Sequence, residues 1–271
     1  MPIALSLHQL TALDASPLEL VAIAGGLEVE FVCLFTHVPD AAAGRYPFVD
    51  RADVDSLRAA LDEYGVRLGN VEVFPLDRSG PRDEFEPALA IGAQLGATRA
   101  TAHVHNIASD QEASDRFAAF AAQAASHGLI AGLEFNNFSA VTDLGEAARI
   151  VRAAGVGSVV LDTLHLVRSG GTAGDVARVA ELIDYAQLSD GPAFMPGEER
   201  WREAVAERLP PGEGDFPLAA LIAPLAFGTL FEVEVPQSAA HKAGVPALDR
   251  CLRAVAASRA LLARHRQDSV P

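Results

Sequence analysis

The chain has 271 residues, half of them hydrophobic, with 21 basic and 36 acidic side chains and a formal net charge of −15. That acidity argues against a nucleic-acid surface or an anionic membrane, both of which ask for a basic face. No basic region precedes the first apolar run, and the longest uncharged apolar tract, Pro217 to Phe231, is broken by Pro224 and Gly228; neither a signal peptide nor a membrane span is expected.

Cys33 and Cys251 lie far apart in apolar surroundings and read as core thiols of a reducing compartment. The expectation is a soluble, cytoplasmic protein. At this length a single barrel of alternating strands and helices, spanning residues 1–271, is the natural candidate.

In chain order, Ile3 to Leu7 is a short apolar run ending at His8. Ser16-Pro17 with Glu19 reads as the N-cap, first-turn proline and first-turn acid of a helix reaching about Gly25. Leu27 to Phe35 is the next strand candidate, with Glu30 inside it. Asp53 to Tyr64 has helical spacing, with Val54, Leu57, Ala60 and Leu61 on one face and Gly65 as the stop. Val66 to Leu76 predicts a third strand, and a polar Gly/Pro-bearing loop leads to a helix from Glu84 to Leu95.

Thr98 to Val104 predicts a fourth strand, followed by His105 and a helix from Asp110 to about His127. Leu129 to Phe135 predicts a fifth, ending near Glu134, and a helix covers Leu144 to Ala154. Ser158 to Leu161 runs straight into Asp162, with His165 three residues on: a buried strand that presents an acid and an imidazole at a loop. A helix near Asp175–Leu182, a strand Ile183–Leu188 and a long irregular segment from Gly191 to Asp215 follow. Leu218–Ala226 reads as a helix, Thr229–Val235 as a strand and Leu248–His265 as a closing helix. Eight strands alternating with helices point to parallel strands joined by helical crossovers, a (β/α)8 barrel. No G-x-G-x-x-G follows any strand, so a dinucleotide-binding sheet lacks its fingerprint.

Catalytic groups of such barrels sit at the C-terminal strand ends. Those ends carry Glu134, Asp162, Gln187 and Glu232 or Glu234 on strands five to eight. Neighbouring strands lie about 4.8 Å apart, so these side chains can converge. Three carboxylates at one point repel one another unless a cation intervenes. An all-oxygen set favours Mn2+ or Mg2+, with Co2+ and Zn2+ as alternatives. Glu232 and Glu234 share a face because they are two apart; Glu234 is preferred because Glu-Val-Pro ends the strand. His8, His103 and His105 on strands one and four read as structural histidines or pocket-mouth residues, and Glu72 is given no role. Trp201 and the turn Pro210–Gly214 read as packing elements or as a cover over the substrate.

The segments LEFNNFSAVTDLGEAARIV, VVLDTLHLVRSGG, YAQLSDGP, RLPPGEGDFPL and EVEVPQSA, in that order, resemble the motifs of the xylose isomerase-like barrel proteins. These are sugar isomerases and epimerases together with 3-dehydroshikimate dehydratases. The resemblance implies a xylose isomerase-like TIM barrel with one divalent metal ion held by Glu134, Asp162, Gln187 and Glu234. It makes Glu134 and Glu234 the proton-transfer pair and His165 and Arg208 contacts to substrate oxygens.

Many epimerases of the group have His where this chain has Gln187. The implied activity is isomerisation or epimerisation of a keto-sugar or related polyhydroxy carbonyl compound. One Glu would abstract a proton beside the carbonyl, and the resulting enediolate would be stabilised by the metal as Lewis acid. Gln187 favours the alternative of a lyase of the 3-dehydroshikimate dehydratase type; a non-catalytic metabolite-binding barrel or subunit is the third reading. The expected partner is a small polyhydroxy molecule, and barrels of this group commonly form homodimers.

Overall fold

Parallel strands buried on both faces are written as apolar runs, and eight of them close the barrel in the computed structural model, which describes residues 4–39, 44–78 and 85–268. The strands are β1 (Leu5–His8), β2 (Phe31–Phe35), β3 (Arg67–Leu76), β4 (Arg99–Val104), β5 (Ile130–Glu134), β6 (Ser158–Asp162), β7 (Ile183–Leu188) and β8 (Leu230–Val233). They pair in chain order, all parallel, and β8 closes on β1. The expected (β/α)8 architecture is the observed one.

Alternation along each strand sorts side chains between two cores. Outward residues such as Leu161, Ala186, Phe231 and Val233 join the large apolar layer between barrel and helices. Inward residues stack in layers. Val160, Tyr185 and Leu230 are in register and form an apolar plug toward the N-terminal end of the barrel. One inward position further along, Asp162, Gln187 and Glu232 are register partners and the lumen turns polar; because barrel strands tilt, such partners lie at different heights. Gly132 on β5 is what lets Val160 enter the lumen, because a Cβ there would sit 2.6 Å from its methyl group.

The local signals read in the sequence operate as expected at several helix ends. Ser16 and Glu19 form a reciprocal capping box with Pro17 in the first turn, and Gly65 ends its helix in the left-handed conformation. Cys33 and Cys251 are buried free thiols.

Other boundaries move. Leu27 and Glu28 lie in a turn rather than in β2, and Glu30 precedes the strand, at the barrel end opposite to the strand tips. The predicted helix Asp175–Leu182 divides into Ala173–Ala177 and a 3-10 turn at Ala180–Leu182. His165 sits on a short helix, Thr163–Arg168, not on a loop; Asp162 caps it by accepting from the Leu164 and His165 amides. The segment 191–215 contains a helix, Arg200–Ala206, which carries Trp201. The Glu84 start of the third predicted helix and most of the loop before it lie outside the described residues. No described helix is long and apolar enough to cross a membrane.

Candidate active site

The C-terminal strand ends bring Glu134, Asp162 and His165 together, with ligand atoms all within 4.8 Å of one another. Each position follows from the fold: Glu134 ends β5, Asp162 ends β6, and the Asp162-capped turn swings His165 back over both. His165 Nε2 lies 3.9 Å from Glu134 Oε1 and 3.8 Å from Asp162 Oδ2. From β4, His103 Nε2 reaches Glu134 Oε2 at 3.1 Å. Arg208 crosses the opposite side, donating from one terminal nitrogen to Asp162 Oδ2 at 2.7 Å and placing the other 3.1 Å from Glu234 Oε1. Glu234 therefore joins the group through the guanidinium, one residue beyond the end of β8.

The loop that supplies Arg208 is built around Asp190, the acid that follows β7. Its carboxylate accepts from the amides of Gly191, Gly212 and Phe216, and its main chain pairs with Leu209. A Cβ on Gly214 would fall 2.4 Å from that carboxylate, so the glycine is required by the close approach. Arg168 and Glu203 form a buried two-pronged pair, at 2.8 and 2.5 Å, between the helix of His165 and the helix of Trp201. The AQLSD and RLPPGEGD motifs are thus two halves of one clasp.

Gln187 departs from the group. Its side-chain nitrogen donates to Glu72 Oε1 and Glu232 Oε2, both at 3.3 Å, in the layer below. That layer is a closed network: Ser6 donates to Glu232, Asn70 donates to Glu72, and His8 Nε2 lies 2.9 Å from Glu72 Oε2. His8, Cys33, Glu72 and Glu232 also have metal-capable atoms within 4.8 Å of one another. However, the Leu10 amide donates to His8 Nδ1, which leaves the ring proton on Nε2 facing Glu72. An ion on Nε2 would force the proton onto Nδ1, against the Leu10 N–H, whereas ligating histidines present an N–H to an acceptor on their far side. The layer reads as a hydrogen-bonded support rather than a metal centre.

Electrostatics divide the acids. Burial works to raise the Asp162 carboxyl, but Arg208 and His165 outweigh it and hold it below the usual carboxylate value. Burial raises Glu234 well above its ordinary value despite Arg208 and His8. Burial likewise pushes Glu232 up to about 7, with His8 opposing and Glu72 reinforcing. Burial lowers His165, and the neighbouring Arg208 adds to that in spite of Asp162.

Between pH 4.5 and about 7 the folded chain retains a proton on Glu232 that the unfolded chain has released, so stability declines as pH rises through that window. With chelator present, the loss is expected to be on the order of 2 kcal/mol, roughly 5 °C in Tm between pH 5 and 8. Thermal melts across that range check it: Glu232→Gln should make the profile shallower, with Glu234 and His8, both raised in the folded chain, keeping part of the slope; an unchanged slope would show that Glu232 contributes none of it.

The residues present fit a divalent cation. Gln187 Oε1 and Glu234 Oε2 are buried acceptors with no hydrogen-bond donor, and two acids with an imidazole stand beside them. Arg208 neutralises only part of that charge, and buried acceptors without partners are costly. A cation would satisfy them.

Of the six residues singled out in the sequence, the structure joins Glu134, Asp162 and His165 directly, Glu234 and Arg208 by ion pairs, and aims the Gln187 amide elsewhere. Sequence reasoning read His103 and His105 as structural histidines or pocket-mouth residues; both line the cavity at the strand ends, and His103 also reaches Glu134. It left Glu72 unassigned for lack of any signal of its height in the barrel.

These strand ends and the two aromatic residues above them, Phe138 and Trp201, line a cavity of about 470 Å³. Similar architecture is found in solved structures of low sequence identity. The IolI protein with a bound zinc atom is 17% identical, with a TM-score of 0.77 over 97% of this chain and 99% of that one. D-psicose 3-epimerase in the presence of D-fructose is 14% identical, with a TM-score of 0.70 over 97% and 98%. The probable 3-DHS dehydratase AsbF of Bacillus anthracis, involved in petrobactin synthesis, is 16% identical, with a TM-score of 0.70 over 93% and 97%. No curated protein sequence matches the chain. At these identities the likeness concerns the fold, and the sequence profile of one family matches residues 19–254. Profile and closed parallel barrel agree: the chain belongs to the xylose isomerase-like TIM barrel family.

Proposed function

We propose that the protein is a divalent-metal-dependent isomerase or epimerase that moves a proton next to a carbonyl group. The observation that carries this reading is the convergence of Glu134, Asp162, His165 and the Arg208–Glu234 pair on one buried point at the strand ends. Glu134, Asp162 and Glu234 would hold the ion, with the Gln187 carbonyl as fourth ligand while its amide stays tied to Glu72 and Glu232. A bound divalent ion supplies Lewis-acid polarisation of the substrate carbonyl.

The chain's own residues do the rest. Glu134, oriented by His103, is placed to accept the proton, and Glu234, held by Arg208 on the opposite side, is placed to deliver one. His165 and Arg208 line the cavity and orient substrate oxygens. A second reading, loss of a β-hydroxyl, uses the same pair of acids, with one of them placed to protonate the departing oxygen.

The test is metal analysis of the purified protein after incubation with Mn2+, followed by a screen of keto-sugars, inosose-type cyclitols and 3-dehydroshikimate. Retention of about one ion per chain and turnover of a keto compound are expected. An ultraviolet-absorbing product from 3-dehydroshikimate would establish the lyase instead. A chain that holds no metal under excess Mn2+ would sink both and leave a binding barrel.

A further inference from the structure

The cavity is polar at its floor, but much of the surface it leaves open to a ligand is aromatic or aliphatic. The floor is formed by Glu134, His165, Arg208 and Glu234 with His103, His105 and Asn136 beside them; Phe35, Tyr46, Val73, Pro75, Phe138 and Trp201 make an apolar wall, interrupted by His37, Arg45 and Glu72. Phe35 and Tyr46 stand 5.7 Å apart at the end of β2 and in the segment after it. Across the mouth, Phe138 follows β5 and Trp201 follows β7, their rings edge to face at 5.0 Å. In an eight-strand barrel β2 lies opposite β6, so the two aromatic pairs face each other across the opening.

Phe138 also meets the His165 ring at 6.1 Å, which joins the apolar wall to the polar floor. Trp201 remains 58% exposed and Phe138 37% exposed, large aromatic faces left to water at a cavity mouth. Such faces gain when an apolar group covers them, while a sugar hydroxyl left against them without a partner is penalised. The cavity, about 470 Å³, is in the range that takes a ligand of many more atoms than a small sugar.

We infer that the substrate is amphipathic: an oxygen-rich hydroxy-ketone end for the floor and an aryl body for the walls. This rests on the reading of the floor as a carbonyl-handling site, but its energetic claim concerns the walls alone. Plain keto-sugars are then weak ligands of a site built for something with a ring.

Trp201 is the chain's single tryptophan, so its emission reports occupancy of the mouth directly. Two probes share a hydroxy-ketone end: erythrulose, and 2,3-dihydroxy-1-phenylpropan-1-one. Titrated against the full chain, with and without Mn2+, the aryl probe should bind at least about ten-fold more tightly, the gain expected for stacking and burying one ring. Phe138→Ala, at a partly exposed position, should weaken the aryl probe far more than erythrulose and so remove most of that advantage. Equal affinity for the two probes, or an advantage untouched by Phe138→Ala, would overturn the inference. An aryl advantage without retained metal would support the wall and sink the metal-enzyme reading. Turnover of keto-sugars with no aryl advantage would do the reverse.

Discussion

Asp162→Ala is expected to be the most destabilising single change at the site, lowering stability by about 3 kcal/mol or more. Three effects add. The buried guanidinium of Arg208 loses its 2.7 Å carboxylate partner and keeps Glu234 as its one remaining acid, with Nε still donating to the Ala204 carbonyl. The Leu164 and His165 amides lose their cap, a further contribution of about 1 kcal/mol. A cation site, if loaded, loses a ligand, so the variant should also fail to retain Mn2+.

Asp162→Asn separates these effects, because an amide oxygen can still accept from both backbone N–H groups while the charge is gone. It should recover about the cap's share of the loss and none of the metal binding. The pair Arg99–Asp184, at 2.8 Å and partly exposed, is the internal control: Asp184→Ala should cost at most about 1 kcal/mol. Thermal melts read the difference, roughly 10 °C for Asp162→Ala against 1–3 °C for Asp184→Ala. Equal, small losses in the two would mean that Arg208 does not depend on Asp162.

The strands and the acids at their tips were legible because burial on both faces writes a parallel strand as an unbroken apolar run. Ser158–Leu161 ending in Asp162 is the clearest case, and Leu129–Leu133 ending in Glu134 repeats it. What stayed hidden was height within the barrel. Period-two alternation tells that Gln187, Glu232 and Glu234 face inward, but not at which level each lies. That level depends on how neighbouring strands slide, and β2–β3, β3–β4 and β6–β7 all contain register shifts. Gln187 consequently looked equivalent to Glu134 and instead donates downward to Glu72 and Glu232.

The helix Arg200–Ala206 was hidden for another reason. It is seven residues long, has no side-chain cap at Glu199, and is held by the buried Arg168–Glu203 pair from 35 residues away. Long-range contacts of that kind override local propensity and leave no local pattern. His165 was misplaced by the same limit, since its helix exists because Asp162 caps it from the strand tip.

The last expectation concerns the proton. Glu134→Gln and Glu234→Gln should each reduce kcat by roughly 10²–10⁴ on whatever keto compound the wild type turns over, the range typical of a lost general acid or base. Both replacements keep size and hydrogen bonding: a glutamine oxygen can still accept from His103 at one site and from Arg208 at the other. A folding defect is therefore not expected, and KM should change less than kcat.

Exchange in deuterium oxide then distinguishes the two roles. If Glu134 accepts the proton, Glu134→Gln abolishes solvent exchange at the substrate carbon. Glu234→Gln, which still permits abstraction and return from the same side, allows exchange while net turnover falls. The reverse pattern would exchange the roles of the two acids. Full activity in either variant would remove the two-glutamate scheme altogether and pass the role to another acid: Asp162, held ionised by Arg208 and His165, or Glu72, which also lines the cavity and accepts from Gln187.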